Sequence, residues 1–365
     1  MKKLIATIVF CLFALAWNSN FALAENLFTP QAIVDLANSD AVPQNVTETI
    51  VCTEQATSRI VAYKVGADWN DKSAEVWSWK ASDSPEIKKE HYSWFRNPDE
   101  AKPVLGATHL LMTASGGGVA LVRLSDKKTL FYTHVHGNPH SAALLPDGNI
   151  ASVSSSGFVR LYTVPEQFTD PNVPFTDYPL YGGHGLVWDA QSKLLWGLGY
   201  LELVAYEYNF DKQHPKLTKV QSYPLRGTPG LGGHDLYPVP GSRLFLITGN
   251  GAAIFDLETK KFTTIWKNAG SRTEIYDTKI NDFAKMGESD HKPVVKMTQG
   301  PKSLSLTPSG AFIVLAPTNS YHTDTIRYMN KPLTAVGTHT GARYYKARWW
   351  IPNTFSDGEE KTVSE

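Results

Sequence analysis

The chain has little cysteine, little charge and no long apolar run beyond its first residues. Two cysteines occur among 365 residues, and Cys11 lies inside the N-terminal apolar stretch. The other thiol, Cys52, cannot form an internal disulfide alone, so a hydrophobic core must hold the fold together. No later segment has the length and apolarity that predict a transmembrane helix.

The chain also has no excess of either charge, because 35 basic residues balance 35 acidic ones. Charged residues make up only 19% of the chain. Without a basic stripe, nucleic acid is not an expected partner. Helical periodicity is scarce. The best candidate helix runs from Thr29 to Ser39, with Thr29 as N-cap and Pro30 at the first helical position.

The N-terminus predicts a signal peptide over residues 1–24. Lys2 and Lys3 form a basic start, Leu4 to Trp17 is apolar, and the small-x-small pattern of Ala22 to Ala24 precedes Glu25. We therefore expect an exported bacterial protein, periplasmic or extracellular. The rest, residues 25–365, is expected to be one domain and a monomer.

Short segments rich in β-branched and aromatic residues recur, each after a turn of small or polar residues, and they predict strands. They are Arg59–Val65, Gly118–Leu124, Gly157–Val164, Leu201–Tyr208 and Gly251–Leu257. The 27 glycines and 22 prolines suit the tight turns between them. An all-β fold is indicated.

A repeat organises these strands. Segments beginning at Pro139, Gly183 and Gly233 align without gaps, and Pro301–Asn319 follows the same template. The looser copies are Asn97–Leu124 and a degenerate Thr49–Val65. The spacing is that of a four-stranded propeller blade, roughly 40 to 50 residues. We predict a β-propeller of six four-stranded blades, with seven blades or a β-sandwich as alternatives.

Two further segments affect how the predicted propeller is completed. Residues 267–298 are predicted to be an inserted loop, although they could hold a further strand pair. Gly341–Pro352 is predicted to supply late strands of the last blade, and the N-terminal part of the domain to pair with it and close the ring.

The repeat brings polar residues to one position of each blade. His140, His184, His234 and Lys302 align, and the looser copy places Asp99 or Glu100 there. Because the first strand of a propeller blade lines the central channel, we expect a polar ring at one channel mouth. Gln299, three residues before Lys302, is placed to reach the same mouth.

Two kinds of chemistry fit this ring. Three neutral imidazoles with a carboxylate suit Zn, Mn, Fe or Ni, so His140, His184 and His234 are candidate ligands of a divalent metal. An ammonium repels a cation, so Lys302 instead favours an anionic ligand. Plain hydrated lining of the channel is the alternative to either site.

Other polar residues rank lower as site candidates. His134 and His136 lie between an outer strand and the next blade, where they could be loop residues near the mouth. His339, Arg343 and Tyr344 are expected to serve packing rather than chemistry.

The pattern resembles secreted bacterial six-bladed β-propellers of uncharacterised function over about Thr49 to Trp350. The stretches that carry the resemblance are "TASGGGVALVRL", "GNPHSAALLPDGNI", "GGHGLVWD", "GGHDL" and "QGPKSLSLTPSG". A more distant likeness is to oligogalacturonate lyases, propellers in which histidines and a glutamine hold a metal near the channel. The counterparts here would be His140, His184, His234 and Gln299, although Lys302 departs from that pattern.

Three functions are therefore open. The first is binding of a small anionic molecule or oligosaccharide, with or without a divalent metal. The second is a metal-dependent uronide lyase, with Lys302 or a histidine as base. The third is a scaffold for protein–protein interaction in the cell envelope.

Overall fold

The strands of the computed structural model form a six-bladed β-propeller, as the sequence predicts. The structure describes residues 28–267, 300–318, 320–331 and 333–357. Within these ranges the strands form six four-stranded antiparallel sheets. The predicted signal peptide, nearly all of the predicted insertion and Gln299 lie outside the described residues.

The blades are numbered from the N-terminus and their strands in chain order. Blade 1 holds β1 (Thr49–Glu54), β2 (Arg59–Lys64) and β3 (Glu75–Trp79), with β24 (Tyr344–Trp349) as its innermost strand. Blade 2 holds β4 (Pro98–Val104), β5 (His109–Ala114), β6 (Gly118–Arg123) and β7 (Thr129–His134). Blade 3 holds β8 (Pro139–Leu144), β9 (Ile150–Ser154), β10 (Phe158–Tyr162) and β11 (Phe175–Pro179).

The second half follows the same order. Blade 4 holds β12 (Gly185–Asp189), β13 (Leu194–Leu198), β14 (Glu202–Tyr208) and β15 (Leu217–Pro224). Blade 5 holds β16 (Asp235–Pro238), β17 (Leu244–Thr248), β18 (Ala252–Asp256) and β19 (Lys261–Trp266). Blade 6 holds β20 (Ser303–Leu306), β21 (Phe312–Leu315), β22 (Thr325–Tyr328) and β23 (Ala335–Thr338).

The helices are short. They are α1 (Pro30–Asn38), α2 (Thr354–Asp357) and three 3-10 turns at Lys72–Ala74, Ala81–Asp83 and Lys89–Phe95. The predicted cap of α1 is confirmed, since the Thr29 hydroxyl accepts the Ala32 amide at 3.2 Å. Ile33 and Ala37 bury the inner face of α1 against blades 5 and 6. No helix among the described residues is both long and apolar enough to cross a membrane.

Strand β24 closes the ring by pairing with β1, with Val51 opposite Arg348 and Cys52 opposite Ala347. Pairing between the two ends of the domain is thus confirmed. The prediction that Gly341–Pro352 supplies late strands of the last blade is wrong. Blade 6 is already complete at Thr338, whereas the N-terminal copy lacks an innermost strand of its own.

The hydrophobic core is divided among the blade interfaces. Each of six apolar clusters lies between two neighbouring blades, including the junction of blades 6 and 1, where Tyr63, Ile313 and Trp349 meet. Innermost strands such as β8 are almost wholly buried, while the outer strand β11 is mostly exposed. This face-to-face packing leaves the channel lining to polar side chains.

The chain after β24 forms a strap across the channel end opposite the predicted ring. The Trp350 indole N–H donates to the Ala107 carbonyl at 3.3 Å, and the Phe355 carbonyl accepts the Ala190 amide at 3.2 Å. The Asp357 carboxylate accepts the amides of Leu105 and Gly106 at 3.1 and 3.0 Å. Because blades 1 and 4 are opposite each other in a six-membered ring, residues 350–357 must cross the channel axis.

Candidate functional site

Six side chains, one from each blade, form a ring at the channel mouth where the innermost strands begin. The ring comprises Asp99, His140, His184, His234, Lys302 and Tyr345, all buried. In blades 2 and 3 the strand register shifts at this point, so Asp99 and His140 are extra residues in β-bulges. A bulge re-aims its side chain, which explains why these residues turn toward the mouth.

The three histidines are packed by their ring faces. The rings of His140 and His184 are stacked, with centroids 4.0 Å apart and planes at 14°. The Tyr200 ring stacks on the other side of His184 at 5.0 Å, and the His234 ring meets His184 edge-on at 5.3 Å. One continuous aromatic stack therefore spans blades 3 to 5.

Hydrogen bonds fix the protonation of these rings. The Lys302 ammonium lies 3.1 Å from His234 Nε2, which accepts, so His234 carries its proton on Nδ1. His184 Nδ1 donates to the Gly182 carbonyl at 2.8 Å. His140 is held by the Asn138 amide at 3.0 Å and the Tyr345 hydroxyl at 3.3 Å.

Burial keeps all three imidazoles neutral. It lowers the pKa of His184 to about 3, and the nearby ammonium groups of Lys346 and Lys302 add to the effect. The pKa values of His140 and His234 lie well below the ordinary value, again first because of burial. At neutral pH the histidines are polar but uncharged.

Lys302 is the isolated cation of the ring. Its side chain is buried and lies 5.9 Å from the Tyr345 ring, and among the described residues no carboxylate forms an ion pair with it. Burial lowers the pKa of Lys302 to about 8, and repulsion from Lys346 acts in the same direction. Beside it, His234 Nδ1 is buried without a hydrogen-bond partner in the described part of the chain.

The structure decides between the two carboxylates that the sequence offered for blade 2. Asp99 occupies the ring position, where one oxygen accepts the Ser115 hydroxyl at 2.7 Å and the other lies 3.8 Å from His140 Nδ1. Burial raises the pKa of Asp99 well above its usual value. Glu100 lies one residue deeper, inside the channel.

The channel interior holds an ionic cluster that the sequence interpretation missed. The Lys346 ammonium lies 3.2 Å from Glu100 and 3.1 Å from Asp235, and the Arg348 guanidinium bridges the same two carboxylates. Lys102 donates to the Ser141 hydroxyl at 2.7 Å and to the Ala142 and Leu186 carbonyls. The alternation of side chains along a strand could have predicted this cluster. Residues one and three places after the ring position lie on the same side of the strand and therefore face the channel.

The geometry bears on the predicted metal. Among the residues described here, no three His, Cys, Asp or Glu side chains are grouped to hold a metal ion. Ligand lone pairs lie in the imidazole plane, so the nearly parallel rings of His140 and His184 do not point to one shared ion. The divalent metal stays a prediction, and the Gln299 ligand falls outside the described residues.

The structure places the lower-ranked candidate residues in different parts of the fold. Tyr344 is buried in the cluster between blades 6 and 1, in accordance with a packing role. His339 Nδ1 donates to the Trp69 carbonyl at 2.8 Å, just after the outer strand β23 rather than at the channel mouth. His134 and His136 are brought together, with their Nδ1 atoms 3.1 Å apart.

Fold and site together define a six-bladed β-propeller with a buried polar ring at one channel mouth. Within that class, the chain belongs to DUF6528, a family of unknown function, whose model matches residues 21–364. No curated protein matches the chain in sequence.

Solved structures resemble the chain at low identity. A Bacteroides caccae protein of unknown function is 11% identical, with a TM-score of 0.49 over 83% of this chain and 98% of that one. The Kuenenia stuttgartiensis hydrazine synthase is 11% identical, with a TM-score of 0.41 over 67% of this chain and 68% of that one. Likenesses at this level carry no argument about function.

Proposed function

We propose that this protein binds a small anionic ligand at the channel mouth, with the Lys302 ammonium as the countercharge. The main observation in support of this proposal is a buried lysine that has no carboxylate partner among the described residues and lies in a ring of neutral imidazoles. An unpaired buried charge costs several kcal/mol. A carboxylate or phosphate at the mouth would offset that cost.

Neighbouring groups support the same occupant. The proton on His234 Nδ1 lacks an acceptor among the described residues, and an anionic oxygen is a suitable one. Tyr181 and Tyr200 pack edge-on at 5.8 Å beside the histidine stack and are only partly buried. Their rings offer apolar faces to the body of a ligand, so a sugar acid or another small hydroxy acid suits the site.

Access supports a small ligand that enters from one side. The strap of residues 350–357 crosses the far end of the channel, and the ionic cluster fills the interior below the ring. The ring of Lys302 and the three histidines lies at the other end, just beneath the mouth. The ligand's acid group would lie deepest and the rest of the molecule toward solvent.

The test is titration calorimetry with inorganic phosphate, acetate, glucuronate and short oligogalacturonates. Lys302→Met should weaken binding of the preferred anion by roughly 10- to 100-fold, because a charge-assisted hydrogen bond is worth about 1.5–3 kcal/mol. Lys216→Met, a change at an exposed lysine before β15, should have no effect. The proposal fails if none of these anions binds, or if both variants bind as well as wild type does.

One observation favours an enzyme as the second candidate function. A lysine whose pKa is about 8 can act as a base near neutral pH, and Lys302 lies against an imidazole. A uronide lyase would raise the absorbance of the unsaturated uronate product, and Lys302→Met would abolish that rise. Elemental analysis of the same protein tests the predicted metal, and N-terminal sequencing after secretion tests the proposed export.

A further inference from the structure

A pair of histidines lies on the chain that leads into the mouth of blade 3. His134 is the last residue of β7, and His136 is in the loop before β8. Their Nδ1 atoms are 3.1 Å apart, and the two rings are tilted by 68° with centroids 4.4 Å apart. The two nitrogens form a hydrogen bond, so in the metal-free protein one Nδ1 carries a proton that a metal ion would have to displace.

The separation matches that of two ligands on one metal ion. Imidazole nitrogens bind Zn(II) at roughly 2.0–2.1 Å. At the angles of tetrahedral or square-planar coordination, two such nitrogens lie roughly 2.9–3.4 Å apart. A span of 3.1 Å lies inside that interval.

His134 is also oriented as a metal ligand is. Its Nε2 lies 3.2 Å from the Gly116 carbonyl and donates to it, which leaves the lone pair on Nδ1, toward His136. Metal-binding histidines commonly donate their other N–H to a backbone carbonyl in this way. Gly117 provides the space, since a Cβ there would lie 2.3 Å from His134 Nε2.

The backbone at His136 is unusual. Its φ is 53°, the left-handed region that non-glycine residues rarely adopt, and the residue is exposed. This conformation folds the loop back, so that the His136 amide donates to His134 Nδ1 at 3.1 Å. Metal binding would exchange that hydrogen bond for a metal–nitrogen bond. Strain of this kind is found at functional sites.

We propose that His134 and His136 chelate one divalent transition-metal ion, with the remaining coordination positions open to water or a small ligand. Imidazole suits Cu, Ni and Zn, and the order of affinities puts Cu(II) first. The site is separate from the channel ring and does not depend on the function proposed for it.

The test is titration of tag-free protein with Cu(II), followed by electron paramagnetic resonance. Wild type should bind one Cu(II) with two nitrogen ligands. His136→Asn tolerates the left-handed backbone and should weaken binding at least tenfold. His214→Asn, a change at another exposed histidine, should leave binding unchanged.

Two outcomes would overturn the proposal. One is equal Cu(II) affinity in wild type and His136→Asn, with circular dichroism showing both folded. The other is a spectrum with a single nitrogen ligand at one equivalent of Cu(II). Either result would leave the pair as a loop hydrogen bond only.

Discussion

Two layers of the channel, one residue apart along the innermost strands, differ in how their charged side chains are paired. The interior charges form ion pairs with one another, and the lysine at the mouth does not. In the interior, Lys346 and Arg348 each meet both Glu100 and Asp235, and all four side chains are almost wholly buried. At the mouth, Lys302 contacts an imidazole and an aromatic ring, and no carboxylate of the described residues pairs with it.

The difference separates charges that stabilise the fold from the charge that we propose binds a ligand. Interior charges come from blades 1, 2 and 5 and neutralise one another across the ring, which ties distant blades together. The Lys302 ammonium has a hydrogen bond to His234 but no carboxylate partner among the described residues. A buried pair is strongly destabilised when one member is removed, whereas a buried lone charge gains from an added partner.

The largest expected effect comes from breaking the interior. Glu100→Gln leaves Lys346 and Arg348 with Asp235 alone, and the free energy of unfolding should fall by about 3–5 kcal/mol. The control Glu75→Gln breaks the partly exposed pair with Arg59 and should cost at most about 1 kcal/mol. Urea unfolding measures both, and similar losses in the two variants would contradict a structural role for the interior cluster.

The next effect is acid destabilisation at the mouth. The unfolded chain protonates His184 below its ordinary pKa of 6.5, whereas the folded protein does so only near pH 3. The unfolded state binds more protons in that window, so stability is lost as the pH falls, by about 3 kcal/mol at pH 4. His184→Phe should flatten the slope of unfolding free energy against pH by about one proton. A slope unchanged from wild type would show that His184 titrates normally.

The smallest effect lies on the alkaline side. The pKa of Lys302 is about 8 in the folded protein and 10.5 in the unfolded chain. The unfolded state again binds more protons between these values, so stability rises with pH, by about 2 kcal/mol from pH 7 to pH 10. Lys302→Met should lose this rise, and Lys216→Met should keep it. Equal pH profiles would place the Lys302 ammonium in contact with solvent or with an anion.

Repetition made much of the fold and part of the ring predictable from sequence. The three gapless copies and the looser ones together predicted six blades, with seven as an alternative. The gapless copies also placed His140, His184 and His234 at one position, because rotational symmetry brings equivalent positions of different blades together. The choice between Asp99 and Glu100 depended on a β-bulge, which inserts one residue without a sequence signature.

The sequence could not show what depends on ring closure. Tyr345, Lys346 and Arg348 belong to a strand that completes a blade whose other strands lie almost 300 residues earlier. The stacking of His140 on His184 depends on packing between side chains of different blades. Neither contact is local in sequence.

Closure by β24 also sets an order of assembly. Glu100 and Asp235 are synthesised well before Lys346 and Arg348, which become available only when almost all of the chain is present. Until then, two carboxylates would face a channel without these cations, which favours a hydrated and open ring. Such long-range contacts form late and slow folding. We therefore expect a chain that ends before Tyr344 to remain protease-sensitive in every blade, rather than to form a stable five-bladed remainder.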